Sequence, residues 1–217
     1  MKIFVYDSGK GIISFLKLIL KNQKNNDYFF YIDKKSFPLG EKDSSFIKNR
    51  LKTIITKVNK ENYNLLIICC NTASIELDIT LKNSCKCPIN TIFDYTIRLY
   101  NSNRVILCSN HLYKKLMNEN INALDVQDLI NNIESNNILN CSTIINDKLS
   151  FTKYEIILGC THLTHIRFLL KNVKTLDPLL LLVDDIPNCG SLILSGNKAG
   201  LNEINKYFIH NNIIGNI

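Results

Sequence analysis

The chain has 217 residues, 46% hydrophobic and 21% charged, with 26 Lys+Arg against 19 Asp+Glu and a net charge of +7. That length can bury a core without disulfides or structural metal, and the ordinary composition excludes a wholly disordered, collagenous or coiled-coil chain. The longest apolar run, residues 176–183, is interrupted by Asp177 and Pro178, so the ~18-residue span of a membrane helix is not expected.

Lysine pairs such as Lys34-Lys35 and Lys114-Lys115 are scattered rather than clustered. Heavy use of Lys, Asn and Ile reads as compositional drift, and a nucleic-acid partner is not expected. The first residues run directly into an apolar segment of strand length ended by Asp7, which does not resemble a secretory signal, so a cytoplasmic location is expected. Eight cysteines are present. Without a secretory signal they are not expected to form a disulfide framework. Cys85-x-Cys87 and Cys69-Cys70 lack the second half of a metal-binding pattern, so most cysteines are expected to be small buried hydrophobes.

In chain order, residues 3–6 read as a strand and 11–20 as a helix, with Ile12, Phe15, Leu16, Ile19 and Leu20 at helical spacing. Residues 28–32 read as a strand, and 46–58 as a helix with Phe46, Ile47, Leu51, Ile54, Ile55 and Val58 along one side. Residues 65–69 are almost continuously apolar, the sign of a strand buried on both faces. A helix over 72–81 and a short strand over 89–92 follow. The second half repeats the alternation: strand 105–108, helices 111–117 and 126–133, strand 155–158, helix 163–170, strand 179–183 and an amphipathic helix over 201–208. Alternating strands and helices predict an α/β fold with mostly parallel sheets. The expected organisation is two pseudo-symmetric lobes, 1–92 plus 185–217 and 93–184, with the site between them.

In such sheets ligands bind beyond the carboxyl ends of strands. Cys70 and Cys160 both sit at a strand-to-helix junction, where helix-terminal amides are expected to favour thiolate. Asn71-Thr72 and Thr161-His162 follow them with hydrogen-bonding groups, and Asp7-Ser8-Gly9 ends the first strand. One thiolate removing a proton from a carbon while a second thiol returns one to the opposite face would invert a stereocentre without a cofactor. Cys69, on the opposite strand face from Cys70, is assigned to packing.

Three motifs carry a family resemblance. Asp7-Ser8-Gly9-Lys10-Gly11 resembles a DSGxGG opening, Cys70-Asn71-Thr72-Ala73-Ser74 matches CNTAS, and Leu158-Gly159-Cys160-Thr161-His162 matches LGCTH. The chain thereby resembles the glutamate racemases of the aspartate/glutamate racemase superfamily. Weaker likeness lies in Tyr31-Ile32-Asp33, Pro38-Leu39-Gly40 and Ser195-Gly196.

The resemblance implies a cofactor-independent racemase interconverting L- and D-glutamate to supply D-glutamate for peptidoglycan. It implies Cys70 and Cys160 as the two bases, with Asp7 and His162 assisting. Asp7, Ser8, Leu39, Gly40, Asn71, Thr72, Thr161 and His162 would bind a small amino-acid substrate. No metal or organic cofactor and no membrane partner are expected, a homodimer is an open expectation, and Glu134 is a loose match to a further family acid.

The departures are Ile12 for the second glycine of the opening, Lys34 after Asp33, Leu39 for a tyrosine, and Cys108-Ser109-Asn110-His111 for a glycine- and threonine-rich stretch. They leave open an aspartate or other acidic amino-acid racemase, or a catalytically degenerate binding or regulatory relative. Loss of the tyrosine hydroxyl at Leu39 is expected to weaken substrate holding, and Leu39→Tyr to restore it.

Overall fold

The computed structural model describes residues 1–149, 153–170 and 173–211. In chain order the elements are β1 (Lys2–Asp7), α1 (Ile12–Lys21), β2 (Asp27–Ile32), α2 (Ser44–Lys60), β3 (Leu65–Ile68), α3 (Asn71–Ser74), α4 (Ile79–Ser84), β4 (Ile89–Thr91), α5 (Ile92–Leu99), β5 (Arg104–Cys108), α6 (Asn110–Asn118), β6 (Ala123–Asp125), α7 (Gln127–Glu134), α8 (Ile138–Leu149), β7 (Glu155–Leu158), β8 (Thr175–Leu176), α9 (Pro178–Asp184), β9 (Ile193–Gly196) and α10 (Lys198–His210). Short 3-10 turns occupy Lys34–Ser36 and Leu39–Glu41, and a longer one Thr161–Leu170.

Two parallel sheets result, ordered β4-β3-β1-β2-β9 and β6-β5-β7-β8. Strand alternation divides each sheet's side chains between two cores. Ile3, Val5, Leu65, Ile67 and Cys69 face one layer of the first lobe, while Phe4, Tyr6, Leu66, Ile68 and Cys70 face the other. In the second sheet Val105, Leu107, Ile156 and Leu158 oppose Ile106, Cys108 and Ile157 in the same way. Both sheets are therefore covered on both faces, as their continuous apolar runs require.

The chain returns to the first sheet through β9, which pairs with β2. Asn197 fixes that return: its side chain accepts from the Ile32 and Gly200 N–H groups at 3.2 and 2.9 Å and donates to the Ile32 carbonyl at 3.0 Å. One side chain thus caps α10 and docks it on the sheet. α5 joins the lobes, with Ile92 and Tyr95 in the first-lobe core and Phe93 and Leu99 packed against the second. Tyr95, with Leu179, Leu182 and Val183 of α9, packs in the first-lobe core although its place in the chain is within the segment 93–184.

The stretch 179–183, expected as a strand, is helical. Asp177 accepts from the Leu179 N–H at 3.0 Å and Pro178 opens the first turn, a start signal that the run of leucines obscures. Leu179, Leu182 and Val183 are buried, at helical spacing. The expected helix 72–81 is two helices, because Asp78 caps a new one by accepting from the Leu81 N–H at 3.0 Å. Phe46, expected on the buried side of its helix, is exposed, and 161–170 is a 3-10 rather than an α-helix. α5, α8, β6, β8 and β9 are elements that periodicity did not single out; β6 and β8 span only three and two residues.

The helical assignment of α9 makes a prediction. Leu182 is fully buried and Leu180 is 38% exposed, whereas a strand would place both on one face. Leu182→Ala should cost about 2–5 kcal/mol in urea unfolding, and Leu180→Ala under about 1 kcal/mol; equal losses would contradict the helix.

Candidate active site

The two sheets bring their carboxyl ends to one cleft. Asp7 is the last residue of β1, Cys70 lies two residues beyond β3, and Cys160 two beyond β7. A cavity of about 20 Å³ between them is lined by Asp7, Ser8, Leu39, Gly40, Cys70, Asn71, Thr72, Cys160, Thr161 and His162, which are all of the site residues expected from sequence. Phe37, Pro38, Gln127 and Ile130 complete the lining. Gln127 is a residue the sequence reading passed over; its signal was its place immediately beyond a strand end, but that strand is only three residues long.

Hydrogen bonds from one lobe to the other close this cleft. Thr161 Oγ1 donates to Asp7 Oδ2 at 2.9 Å, and Ser14 donates to the Thr161 carbonyl at 3.3 Å. Thr72 Oγ1 and Ser109 Oγ are 2.6 Å apart. The Lys10 N–H donates to Glu134 Oε2 at 2.9 Å. Farther out, buried Glu76 takes His111 Nε2 at 2.7 Å and Lys115 Nζ at 3.0 Å. Gly11 is required by the close approach of the lobes: a Cβ there would lie 2.0 Å from Thr161 Oγ1.

The electrostatics of the two cysteines differ. Cys70 Sγ lies 3.4 Å from Ser8 Oγ. Burial, then the Asp7 charge, push its thiol up to about 12, against the pull of Ser8 and the Ala73 N–H. The expected bias of Cys70 toward thiolate is therefore reversed: α3 has only four residues, and its terminal amides do not outweigh burial beside a carboxylate. Cys160 Sγ instead lies 3.5 Å from His162 Nδ1.

Burial pulls the His162 imidazole down, but the neighbouring Cys160, the hydrogen bond to Glu134 and the Asp7 charge outweigh it and hold His162 at about 10. His162 Nε2 meets Glu134 Oε2 at 2.8 Å. Glu134 is pushed up by burial and, more strongly, pulled below the usual carboxylate range by His162 and Lys10. Burial raises Asp7 to about 6, opposed by His162, Thr161 and backbone N–H groups. One cysteine thus faces a carboxylate and the other an imidazolium.

Leu39 is 1% exposed and packs in the same core as Tyr6, Ile47 and Cys70. A tyrosine there would have to displace packed neighbours, so the restoration expected of Leu39→Tyr does not follow from this geometry. Lys34 pairs with Glu203 at 2.9 Å and does not line the cleft. Among the described residues no group of three or more His, Cys, Asp or Glu side chains could hold a metal ion, and no helix is long and apolar enough to cross a membrane. A larger cavity of about 460 Å³, lined by residues including Lys10, Lys17, His165 and Tyr207, contains neither cysteine. The small cleft is the one that gathers both strand-end cysteines with Asp7 and His162, so it is the candidate active site.

No family model matches the chain. It is 35% identical over 89 residues to the glutamate racemase of Leptospira interrogans, a stretch covering 41% of this chain and 35% of that protein. The match thus spans about a third of that relative's length. With the glutamate racemase of Fusobacterium nucleatum the identity is 28% over 229 residues, covering 91% of this chain and 84% of the relative. The crystal structure of glutamate racemase from Campylobacter jejuni superposes with a TM-score of 0.78 over the whole of both chains, at 23% identity. By sequence the chain is similar to proteins named glutamate racemase, and its two-sheet α/β architecture is the fold of the solved glutamate racemase structures.

Proposed function

We propose that the protein interconverts L- and D-glutamate by a cofactor-independent two-base reaction. The observation that carries this reading is the convergence of Cys70 from one lobe and Cys160 from the other on a single cavity, each with its own polar partner. Inversion at Cα needs a proton removed from one face and another delivered to the opposite face, and two sulfurs supplied by opposing walls meet that requirement. In the closed site Cys70 is held as the thiol, ready to donate. Cys160, beside the His162 imidazolium, is placed to accept.

For the reverse enantiomer the roles exchange. Cys70 then accepts the Cα proton and Cys160 donates one, and the transfer returns Cys70 to the thiol that burial and Asp7 favour, while Glu134 braces His162 beside Cys160. The hydroxyls of Ser8, Thr72 and Thr161 and the Asn71 amide are available to the substrate's charged groups. The glutamate racemase name shared by the relatives supports the substrate. The same reading includes supply of D-glutamate for peptidoglycan, a cytoplasmic location and a homodimeric assembly.

Solvent-deuterium incorporation at Cα, followed across L- and D-glutamate, aspartate and neutral amino acids, tests the reaction. Glutamate of either hand should take up deuterium and lose optical purity. Exchange with aspartate alone would reassign the substrate, and no exchange with any amino acid would remove the enzymatic reading.

Cys70→Ser and Cys160→Ser should each lower racemisation of both enantiomers by roughly 10²–10⁴-fold or more. Substantial two-way turnover by either folded variant would exclude the two-base assignment. Cys69→Ser, on the opposite face in the core, should affect stability rather than turnover.

Stability should also respond to pH through His162. Its folded value is raised from 6.5 to about 10, so its contribution is fully present below about pH 6.5 and is lost as pH rises through about 10. Asp7, raised from 3.8 to about 6, loses its contribution earlier, between those two values. Urea midpoints of the parent protein should therefore fall from pH 7 to pH 10, and the gap to His162→Gln should narrow over that range. A constant gap would show that His162 is not held as the cation.

A further inference from the structure

We propose that Gln127 is a specificity-determining residue, whose side-chain amide donates a hydrogen bond to the distal carboxylate of an acidic amino-acid substrate. The inference rests on the racemase reading above and deepens it. Gln127 opens α7 beyond β6 and lines the same cavity as the two cysteines. It reaches across from the second lobe onto the Leu39–Glu41 turn of the first: a Cβ added to Gly40 would lie 2.0 Å from Gln127 Oε1 and 2.7 Å from Ser109 Cβ. The amide therefore covers the glycine, and the absence of a side chain at Gly40 makes room for it.

On the same wall the Thr72 and Ser109 hydroxyls are bonded to each other at 2.6 Å. Leu39, Phe37, Pro38 and Ile130 present no side-chain donor, and neither lysine nor arginine lines the cavity. A primary amide has two N–H donors and one acceptor oxygen. Gln127 uses one donor on Asn131 Oδ1 at 3.0 Å, and its oxygen accepts from the Asn110 N–H at 3.3 Å. Among the described residues the second N–H has no partner, and it remains for a ligand. Asn131 in turn donates to Glu41 Oε1 at 3.1 Å, so the Gln127 amide is braced by a contact that exists only while the lobes are together. The recognising donor is thus assembled by closure, on the wall where Leu39 offers no hydroxyl.

The test compares glutamate with 2-aminobutyrate, which keeps the reacting centre and lacks the carboxylate. The full chain and its Gln127→Met and Gln127→Glu variants are assayed for glutamate kinetics, with 2-aminobutyrate measured as slow substrate or competitive inhibitor. Loss of one hydrogen bond to a charged group should raise the glutamate KM of Gln127→Met by roughly ten- to a hundredfold, with a smaller fall in kcat. Binding of 2-aminobutyrate should weaken far less, so that selectivity between the two ligands shifts by about the same factor. Gln127→Glu, isosteric but carrying a negative charge, should weaken glutamate further. Equal weakening of both ligands, or an unmoved glutamate KM in either folded variant, overturns the assignment while leaving the racemase reading intact. If the parent protein exchanges the Cα proton of no acidic amino acid, both fall together.

Discussion

A fully buried carboxylate, Asp7, lies at the junction of the lobes, and the second lobe supplies much of what makes that burial tolerable. Thr161 donates to it at 2.9 Å, and His162 faces it with positive charge. An ionised carboxylate without such partners would be strongly disfavoured in this surrounding. The Asp7 charge, the His162 charge and the closed arrangement of the lobes are consequently parts of one condition. The tilt of Cys70 toward thiol follows from the same source, because the charge that the second lobe stabilises is the one that opposes a thiolate at Cys70.

Closure has a consequence for binding. A cavity of about 20 Å³ holds a water or two, whereas sites for small organic ligands span roughly 300–1,000 Å³. A ligand the size of an amino acid fits only if the lobes part, and parting breaks the Asp7–Thr161 and Thr72–Ser109 contacts. On the proposed reading, the polar groups exposed by opening are groups that a zwitterion can satisfy. Ligand and lobe closure would then compete for the same hydrogen bonds, and the ligand must return at least what it displaces.

The parts of this arrangement legible in the sequence are those carried by contiguous residues. Asp7-Ser8, Cys70-Asn71-Thr72 and Cys160-Thr161-His162 are short runs anchored to strand ends, so local order alone places each at the cleft. The parallel two-sheet architecture was legible for the same reason, from strand-length apolar runs alternating with helical ones. Gln127 was not, because its importance arises from Gly40 and Glu41, which are distant in the chain and meet it only across the lobes. The α9 helix was hidden because a run of leucines has no polar face to reveal its period. The Cys70 thiol was misjudged because chain position reports a helix terminus but not the burial and the facing carboxylate that outweigh it.

The departures from the family motifs fall unevenly over the cleft. The groups around the reacting carbon, from Asp7 and Cys70 to Cys160 and His162, keep the expected identities, while Leu39 and Ser109 depart and lie beside Gly40 and Gln127 on one wall. A two-base inversion constrains the reacting groups tightly, since each must reach the same carbon from its own side. The wall that holds the remainder of the substrate is constrained only by the sum of its interactions, so a lost hydroxyl at one position can be replaced by an amide at another. On the reading proposed for Gln127, that replacement comes from the opposite lobe, and recognition is tied to closure rather than to the surface of one lobe. Substrate choice and lobe closure are then coupled by geometry: a ligand that cannot engage the second lobe's amide gains less from closing the site, even where it presents the same carbon to the two sulfurs.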